Sequence, residues 1–447
     1  MSDLLAVGAS GVLAYQTALS TVSENISNAG TAGYSRRTTT LQEITATSSR
    51  ASASSSTGSG VTVTGINRAA DDLRQASVRA AGSDVARSQG SVTWLQSIET
   101  ALSGNTLQDS LTGFFNAAKT VAADPTASTP RNALIEAGSA VASAFQLTGK
   151  ALDDATTQLD TTANNAIGQL NNLLASLGQV NDGLGRSQPG TGASAQLLDQ
   201  RDQLLGQVSA ITNTTVSTDA LGRVTLQLGD SSGPVALAGD TAAFIGYARN
   251  GSGAVSFTVS RQGVTSTLSP TGGALAAVSE GAGRLANARS TLNQIASNFT
   301  ATINNVQAQG RDLAGNPGAA FFATGATPTD ITVAITDPNQ IAAAAVGGGT
   351  RDNTNINAFE TVRQSGGYEA SLSTTIAANA STLTARKQVA DAQSTIYDGA
   401  VAARDNVSGV NLDAEAVDLL RFQQAYQASS RVIQTASDIF QSILQIR

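Results

Sequence analysis

The sequence predicts a mainly α-helical protein with a small inserted β domain, paired N- and C-terminal coiled-coil helices, a long central helix bundle and a β-rich outer domain. Three observations predict this class. Apolar residues recur at three- and four-residue steps near both termini, which is the spacing of helices that wind around each other. Long stretches between the termini contain few helix breakers. One central stretch changes to strand-like alternation between glycine turns.

The two ends carry matching apolar seams. A single seam is usually an internal helix–helix contact, but two matching seams at opposite ends favour pairing of the first and last helices and a role in assembly. We predict that both seams, together with Tyr34 beside the following linker, form an assembly interface; Tyr34 could instead be local packing. The N-terminal seam is Leu5, Gly8, Val12, Tyr15, Leu19, Val22 and Ile26. The C-terminal seam is Leu419, Phe422, Tyr426, Ile433, Ala436, Phe440 and Ile443, with Ser429 in its one gap.

Breakers and caps place the element boundaries. Gly30 follows the first helix as a C-terminal glycine would, and Pro130 stands at the start of a very long helix. The predicted elements are helices at 3–28, 69–123 with a break near 103–105, 131–184, 193–210, 273–309, 354–407 and 412–446; strands at 60–65, 223–228, 254–260 and 331–335; and a short helical turn capped by Asp337-Pro338.

These elements group into four predicted units. Because the first and last helices are predicted to pair, the chain must return at its end to the place where it began. We therefore expect the middle of the chain to extend outward from the terminal pair. The units are a terminal coiled-coil segment (1–30 and 412–447), a linker with short strands (31–67), a helical bundle domain (68–211 and 272–411) and a small β-rich outer domain (212–271).

The composition excludes several classes of chemistry. The 447 residues include no Cys and no His, so we expect no thiol nucleophile, disulfide, His-dependent triad, metal site or cofactor. The net charge of −7 and the scattered Arg and Lys argue against binding to nucleic acid. No unbroken run of 18 apolar residues occurs, so no membrane span is expected. The N-terminus lacks the features of a secretory signal, so export would need another route.

Other polar groups have simpler interpretations. Asp199 and Asp202 lie three residues apart near one helix face, which would suit a catalytic acid pair, but a solvated face with an intrahelical Arg is the preferred interpretation. The stretch 351–355 offers oxygen ligands without the spacing of a calcium loop, so a cap or turn is preferred. Trp94, the only Trp, is predicted to be core.

Several motifs resemble those of the flagellar rod, hook and hook-associated axial proteins. The stretch 25–36, Asn-Ile-Ser-Asn-Ala-Gly-Thr-Ala-Gly-Tyr-Ser-Arg, is similar to the motif that closes the first helix in that family. Residues 408–428 are similar to its C-terminal signature. Internal stretches that also resemble members at the hook–filament junction are 60–72, 114–131, 197–202, 315–322 and 337–342.

The resemblance implies a structural subunit that joins the flagellar hook to the filament and self-assembles through its terminal helices. The implied partners are further copies in a helical ring, the hook protein, the adjacent filament-side junction protein, and an export chaperone at the C-terminal helix. The implied location is the extracellular flagellum, reached by type III export in a largely unfolded state. Terminal segments of this family are typically disordered as monomers and fold on assembly. The short β insert implies that an outer domain of longer relatives is missing.

Rival interpretations remain at this stage. The chain could be another axial protein, either the filament-side junction protein or a hook protein, although the match at 197–202 argues against both. It could also be an enzyme, such as a muramidase, on an axial scaffold. The β insert holds only Asp219, Asp230 and Asp240 as acids, and sugar cleavage usually needs a positioned carboxylate pair. An adhesin is the third alternative.

Overall fold

The computed structural model of the chain describes residues 2–44 and 60–445. The predicted Ser- and Ala-rich linker at 46–60 lies outside the described residues except for Gly60, and so does the predicted helix end at Ile446. Within the described ranges the helices are α1 (Ser2–Ser27), α2 (Asp72–Ser103), α3 (Leu107–Ala123), α4 (Ser128–Arg186), α5 (Gly192–Ile211), α6 (Gly273–Gln309), α7 (Thr354–Gly366), α8 (Tyr368–Ser408) and α9 (Leu412–Gln445), with a 3-10 turn at Pro338–Gln340.

The strands form four small antiparallel sheets, with orders β1-β2, β3-β4-β5-β6, β7-β8-β9 and β10-β11. The predicted fold class, mainly α with a β insert, is therefore confirmed. The strands are β1 (Arg37–Glu43), β2 (Val61–Arg68), β3 (Thr214–Thr218), β4 (Val224–Leu228), β5 (Val235–Ala238), β6 (Thr241–Ala242), β7 (Phe244–Arg249), β8 (Val255–Arg261), β9 (Val264–Leu268), β10 (Phe322–Thr324) and β11 (Ile331–Val333).

The β1–β2 hairpin packs along α1 and continues the terminal segment. At the first residue of β2, the Ser10 hydroxyl accepts a hydrogen bond from the backbone N–H of Val61 (3.2 Å). Halfway along, the Thr39 hydroxyl donates to the Thr21 hydroxyl (3.0 Å). The hairpin therefore lies against one side of α1 and leaves another side for a second helix.

The helix α4 is the spine of the body. Its 59 residues extend about 88 Å at 1.5 Å per residue, which confirms the long helix predicted at 131–184. A helix of this length needs lateral support, and buried side chains recur along it at three- and four-residue steps. Among them are Leu134, Val141, Phe145, Leu152 and Leu159.

The few aromatic residues are concentrated in one cluster at the centre of the body. The Phe114 ring lies 5.4 Å from the rings of Phe299 and Phe321, centroid to centroid, in edge-to-face geometry. Further rings from α7 and α8 join them, so the cluster connects helices that are far apart in the sequence. Its members are Phe114, Phe115, Phe145, Phe299, Phe321, Phe322, Phe359 and Tyr368.

Two asparagines on α4 hold the β insert. The Asn181 side chain donates to the carbonyl of Val224 (2.8 Å) and accepts from its N–H (2.9 Å). Asn171 makes the same pair of bonds with Ile245, at 3.0 and 2.8 Å. Each side-chain amide thus bonds both the N–H and the C=O of one strand residue. These two backbone groups would otherwise be unpaired, so each sheet docks in one register.

Two boundary predictions were wrong. The helix predicted at 354–407 is interrupted at Gly367, whose left-handed backbone (φ +54°) ends α7 and begins α8. The Gly366-Gly367 pair in the sequence is the feature that could have predicted this helix end. Gly30 does not have the left-handed conformation of a helix-ending glycine; Gly33 does, with φ +81°. The division into four domains stays a prediction.

We predict that Phe114→Ala lowers the free energy of unfolding of the body by about 3–5 kcal/mol, because it empties the centre of the aromatic cluster. Phe244→Ala is the matched control, since that ring is 67% exposed on β7, and we expect it to cost less than about 0.5 kcal/mol. Urea denaturation followed by circular dichroism measures both. Equal losses in the two variants would contradict the assignment of the core.

Candidate assembly surface and the polar junction behind it

The helices α1 and α9 pack against each other through small residues. A methyl group added at Gly8 would lie 2.6 Å from Cγ1 of Ile433, and one added at Gly11 would lie 2.6 Å from the Ser429 hydroxyl. Neither methyl group fits, so only glycine permits this close approach. The pairing of the first and last helices, predicted from the two seams, is confirmed within one chain.

The predicted seam residues divide by burial in this pair. The Tyr15 and Phe422 rings meet across it with centroids 6.3 Å apart. The buried members are Gly8, Val22 and Ala436, and the half-buried members are Val12, Tyr15, Leu19, Leu419, Phe422, Tyr426 and Ile433. The members that remain exposed are Leu5, Ile26, Phe440 and Ile443. The seams therefore supply the intrachain contact and also part of an uncovered surface.

Further exposed apolar side chains extend that surface, and the seam periodicity missed them. Leu13 on α1 is 65% exposed and Leu420 on α9 is 59% exposed. We call the exposed large apolar side chains of the two terminal helices the apolar stripe. Its members are Leu4, Leu5, Leu13, Ile26, Leu412, Val417, Leu420, Val432, Ile439, Phe440 and Ile443. Large apolar side chains left exposed in this number on one helix pair favour an interaction site.

A buried amide fixes where the helix pair meets the rest of the chain. The Asn25 side chain, fully buried on the last turns of α1, accepts from the Tyr34 hydroxyl (2.8 Å) and from the N–H of Arg37 (2.9 Å). It donates to the Arg37 carbonyl (2.8 Å) and to the Glu415 carboxylate of α9 (3.0 Å). One side chain thus connects α1, the following loop and α9.

Glu415 is the other centre of this junction. Its carboxylate is fully buried on the first turn of α9 and accepts from Nε of Arg36 at 2.6 Å. The backbone N–H of Arg36 in turn donates to the carbonyl of Ser408, at the end of α8 (2.8 Å). A buried carboxylate needs such partners, because an unpaired one would cost several kcal/mol. The start of α9 is therefore fixed to both flanking segments.

An arginine–aspartate chain continues from this point to α5. Asp199 accepts from Arg37 and from Arg68, both at 2.8 Å. Asp202 accepts from Arg68 (2.8 Å) and from Arg201 (2.6 Å). These groups, together with Asn25, Tyr34, Arg36 and Glu415, form what we call the polar junction. It transmits the position of the terminal helices to the helical body.

Tyr34, predicted as an assembly contact, lies inside the polar junction. Its ring stacks under the Arg37 guanidinium, 5.0 Å from the ring centroid. Burial raises the pKa of Tyr34 to about 12, so its hydroxyl stays protonated near neutral pH and can donate to Asn25. The geometry favours the local-packing alternative for this residue.

The interpretation of Asp199 and Asp202 as a solvated face was wrong. Their side chains are 12% and 7% exposed, and each is held by two arginines. The predicted intrahelical arginine is present, since Arg201 of α5 bonds Asp202. The other two arginines, Arg37 and Arg68, come from β1 and β2, so the helix sequence alone could not reveal the burial. Held in ion pairs on both sides, the two carboxylates are structural groups and leave no free acid or base.

The other polar candidates have structural roles. Asp352 accepts from the N–H (3.2 Å) and hydroxyl (2.6 Å) of Thr354 in the turn that leads into α7, which agrees with the predicted cap or turn. Trp94 is core, as predicted. Among residues 2–44 and 60–445, no cluster of three or more Asp, Glu, His or Cys side chains is arranged to hold a metal ion.

By length and composition, the α1 segment Leu4–Ser27 could cross a membrane. The segment contains no unbroken run of 18 apolar residues, so the sequence pattern did not predict this property. A third of the segment is buried in the fold, against α9 and the hairpin. Its buried face includes the polar side chains of Thr21 and Asn25. We therefore interpret it as one half of the helix pair, and the absence of a membrane partner stays a prediction.

Comparisons with known proteins agree with this arrangement. Residues 95–322 match the family described as flagellar hook-associated protein FlgK helical domain. Residues 403–446 match the C-terminal region of the flagellar basal body rod FlgEFG proteins. The second match covers α9 and the end of α8, so the same terminal helix is shared with rod proteins.

Curated relatives cover the whole chain. Flagellar hook-associated protein 1 of Salmonella typhimurium is 26% identical over 577 aligned positions that span all of both chains. The Escherichia coli protein of the same name is 27% identical over 553 positions, again with full coverage. Because this chain has 447 residues, an alignment of 577 positions leaves about 130 of them opposite gaps, so the Salmonella relative is longer.

One solved structure shares the fold. The flagellar hook junction protein FlgK from Burkholderia pseudomallei superposes with a TM-score of 0.51 and 21% sequence identity. The match covers 56% of this chain and 47% of that one. At this identity the likeness speaks for the fold alone.

We predict that Asn25→Asp loosens the docking of α9. The substitution places a second carboxylate against Glu415 and removes the amide donor, which costs about 3 kcal/mol when a buried charge loses its partner. Hydrogen–deuterium exchange of the backbone amides at 412–420 should then become about 100-fold faster. Asn28→Asp, three residues further on and just past the end of α1, is the control and should leave exchange unchanged. Identical exchange in the two variants would rule out the polar junction as the fixing contact.

Proposed function

The chain belongs to the FlgK family of flagellar hook-associated proteins, and on this premise we propose that it is a structural subunit of the hook–filament junction that self-assembles through its terminal helices. The observation that carries the proposal is the apolar stripe. Folding within one chain leaves it uncovered on both α1 and α9, although these helices pack closely against each other.

The stripe is suited to contacts between subunits. Complete burial of a Leu, Ile, Val or Phe side chain contributes about 1.5–3 kcal/mol, so side chains that are already half covered would each contribute roughly half of that on assembly. The free energy of burying the whole stripe would therefore stabilise the contact with a neighbouring copy that covers it. The intrachain pair alone does not use it.

The polar junction gives the assembly a defined geometry. It connects α1 through the hydrogen bonds of Asn25, and α9 and α5 through ion pairs, so the body is held at a fixed orientation to the terminal pair. In a ring of identical subunits a fixed orientation is required, because each copy must present the same surface to the next. The long helical body then forms an outer shell, and the β insert faces outward.

The proposed partners follow from this arrangement. Further copies of the chain cover the apolar stripe within a ring. The hook protein lies at one end of the ring and the filament-side junction protein at the other. Before assembly, an export chaperone covers α9, whose exposed side chains suit an apolar groove. The family places the chain in the bacterial flagellum, an extracellular appendage, and type III export would take it there.

The geometry of the β insert does not favour the enzyme alternative. Asp219 accepts from two backbone N–H groups and from Arg223 within a turn, and Asp230 accepts from Ser232 in the same way. These hydrogen bonds lower the pKa of both carboxyl groups. A general acid needs the opposite shift. The relatives are flagellar structural proteins, and we propose that this chain likewise has no catalytic role.

Deletion of the gene tests the function directly. We predict cells with bare hooks that release filament subunits into the medium, because the filament has no junction to grow from. Electron microscopy of the cells and an immunoblot of the culture medium measure the two effects. Full-length filaments on the deletion strain would overturn the proposal.

A single substitution tests the surface. Phe440 is 51% exposed on α9, so Phe440→Asp should leave the chain folded but block assembly, and we expect motility in soft agar to fall at least 10-fold. Gln441→Asp introduces the same charge at an exposed neighbouring position and is the matched control. Unchanged swimming of the Phe440→Asp strain would count against the apolar stripe as an interface.

A further inference from the structure

A cleft with a mixed polar and apolar lining lies beside the polar junction. It has a volume of about 1010 Å³ and is bounded by α2, α5, the end of α8 and the loop after α1. Amide side chains from two of these helices line it, among them Gln75, Gln203 and Gln207. Side-chain amides both donate and accept hydrogen bonds, so the lining is suited to a polypeptide backbone.

One cation in this cleft lacks a partner. Arg79 on α2 lines the cavity and forms neither a hydrogen bond nor an ion pair with any residue in the described part of the chain. Its arginine neighbours differ, since Arg68 and Arg201 are each bonded to Asp202 and Arg404 is bonded to Asp405. Arg79 is thus the exception within this group.

The charged side chains that line the cleft are otherwise paired, Arg404 with Asp405 and Asp202 with Arg68 and Arg201, which leaves Arg79 for an anionic occupant. Both carboxylate oxygens of Asp202 already accept bonds, one from Arg68 and one from Arg201. Burial lowers the pKa of Arg79, which reflects the removal of water from its guanidinium. A partly desolvated guanidinium is stabilised most by a carboxylate, which it can bind in bidentate geometry.

The cleft reaches the chain segment just before α9. Ser408, Gly409 and Val410 line it, and the stripe begins two residues further on at Leu412. A copy of the chain that covers the start of α9 is therefore brought next to the cleft. The chain supplies the complementary charge, because it carries 33 Asp and Glu against 26 Lys and Arg.

We infer that the cleft receives an Asp- or Glu-bearing segment of a second copy of this chain, whose carboxylate pairs with Arg79 while the glutamines bind its backbone. The inference rests on the proposed function, since it needs copies that meet along the apolar stripe. It adds a specific polar contact to that apolar surface. Charge pairs of this kind select partner and register.

Photo-crosslinking in cells tests the contact. A benzoylphenylalanine probe replaces Gln207 in the cleft, and a second strain carries the probe at Phe440 as a reference for the stripe. After irradiation, flagella are isolated and crosslinked peptides are identified by mass spectrometry. We expect the Gln207 probe to join two copies of the chain at a peptide that contains Asp or Glu.

Substitutions then isolate the charge. Arg79→Gln should lower the crosslink yield at least fivefold, and Arg79→Lys should keep at least half of it. Lys387→Gln, which removes an exposed cation from α8, should leave the yield unchanged. Because Arg79 makes no hydrogen bond or ion pair with residues 2–44 and 60–445, its variants should unfold at the same temperature as the parent protein.

The outcomes separate the two proposals. Crosslinks at Phe440 but not at Gln207, a Gln207 crosslink to a different protein, or a yield unaffected by Arg79→Gln would each overturn the cleft contact and leave the assembly function intact. Absence of crosslinks from both probes would overturn the assembly function and the cleft contact together.

Discussion

The structure depends on one buried contact, the hydrogen bond from the Asn25 amide to the Glu415 carboxylate. The two residues are separated by 390 positions in the sequence, and both side chains are fully buried. The terminal helices approach so closely that Gly8 and Gly11 leave little room for large apolar side chains between them. Directional polar bonds therefore fix the axial register of α1 against α9, which apolar packing alone would leave variable. A buried polar residue sets the register of a coiled coil in the same way.

Stability and assembly are carried by different parts of the chain. The helical body has a conventional core, with most of the phenylalanines in one aromatic cluster around Phe114. The terminal pair buries small residues such as Gly8 and Gly11 at its closest approach and leaves many large apolar side chains exposed, unlike a stable isolated domain. A body with its own core and a terminal pair with this exposed surface together suit the proposed role of a subunit that assembles with further copies.

Periodicity predicted most of the fold and little of the polar junction. The buried positions of α4 recur at helical spacing, so its length could be predicted from residues near each other in the sequence. The burial of Asp199 depends on Arg37 and Arg68, which lie more than 130 residues away, and no local pattern records such a partner. The seams predicted the pairing of α1 and α9. The seams did not distinguish the residues that face the partner helix from the residues of the apolar stripe, because both sets follow three- and four-residue steps.

An electron cryomicroscopy map of the assembled hook–filament junction, at a resolution that shows side chains, tests the central claim most directly. The account requires Leu420 and Phe440 to be covered by another copy of the chain, with the Asn25–Glu415 contact intact in every subunit. A map in which both side chains face solvent, or in which α9 has separated from α1, would contradict it.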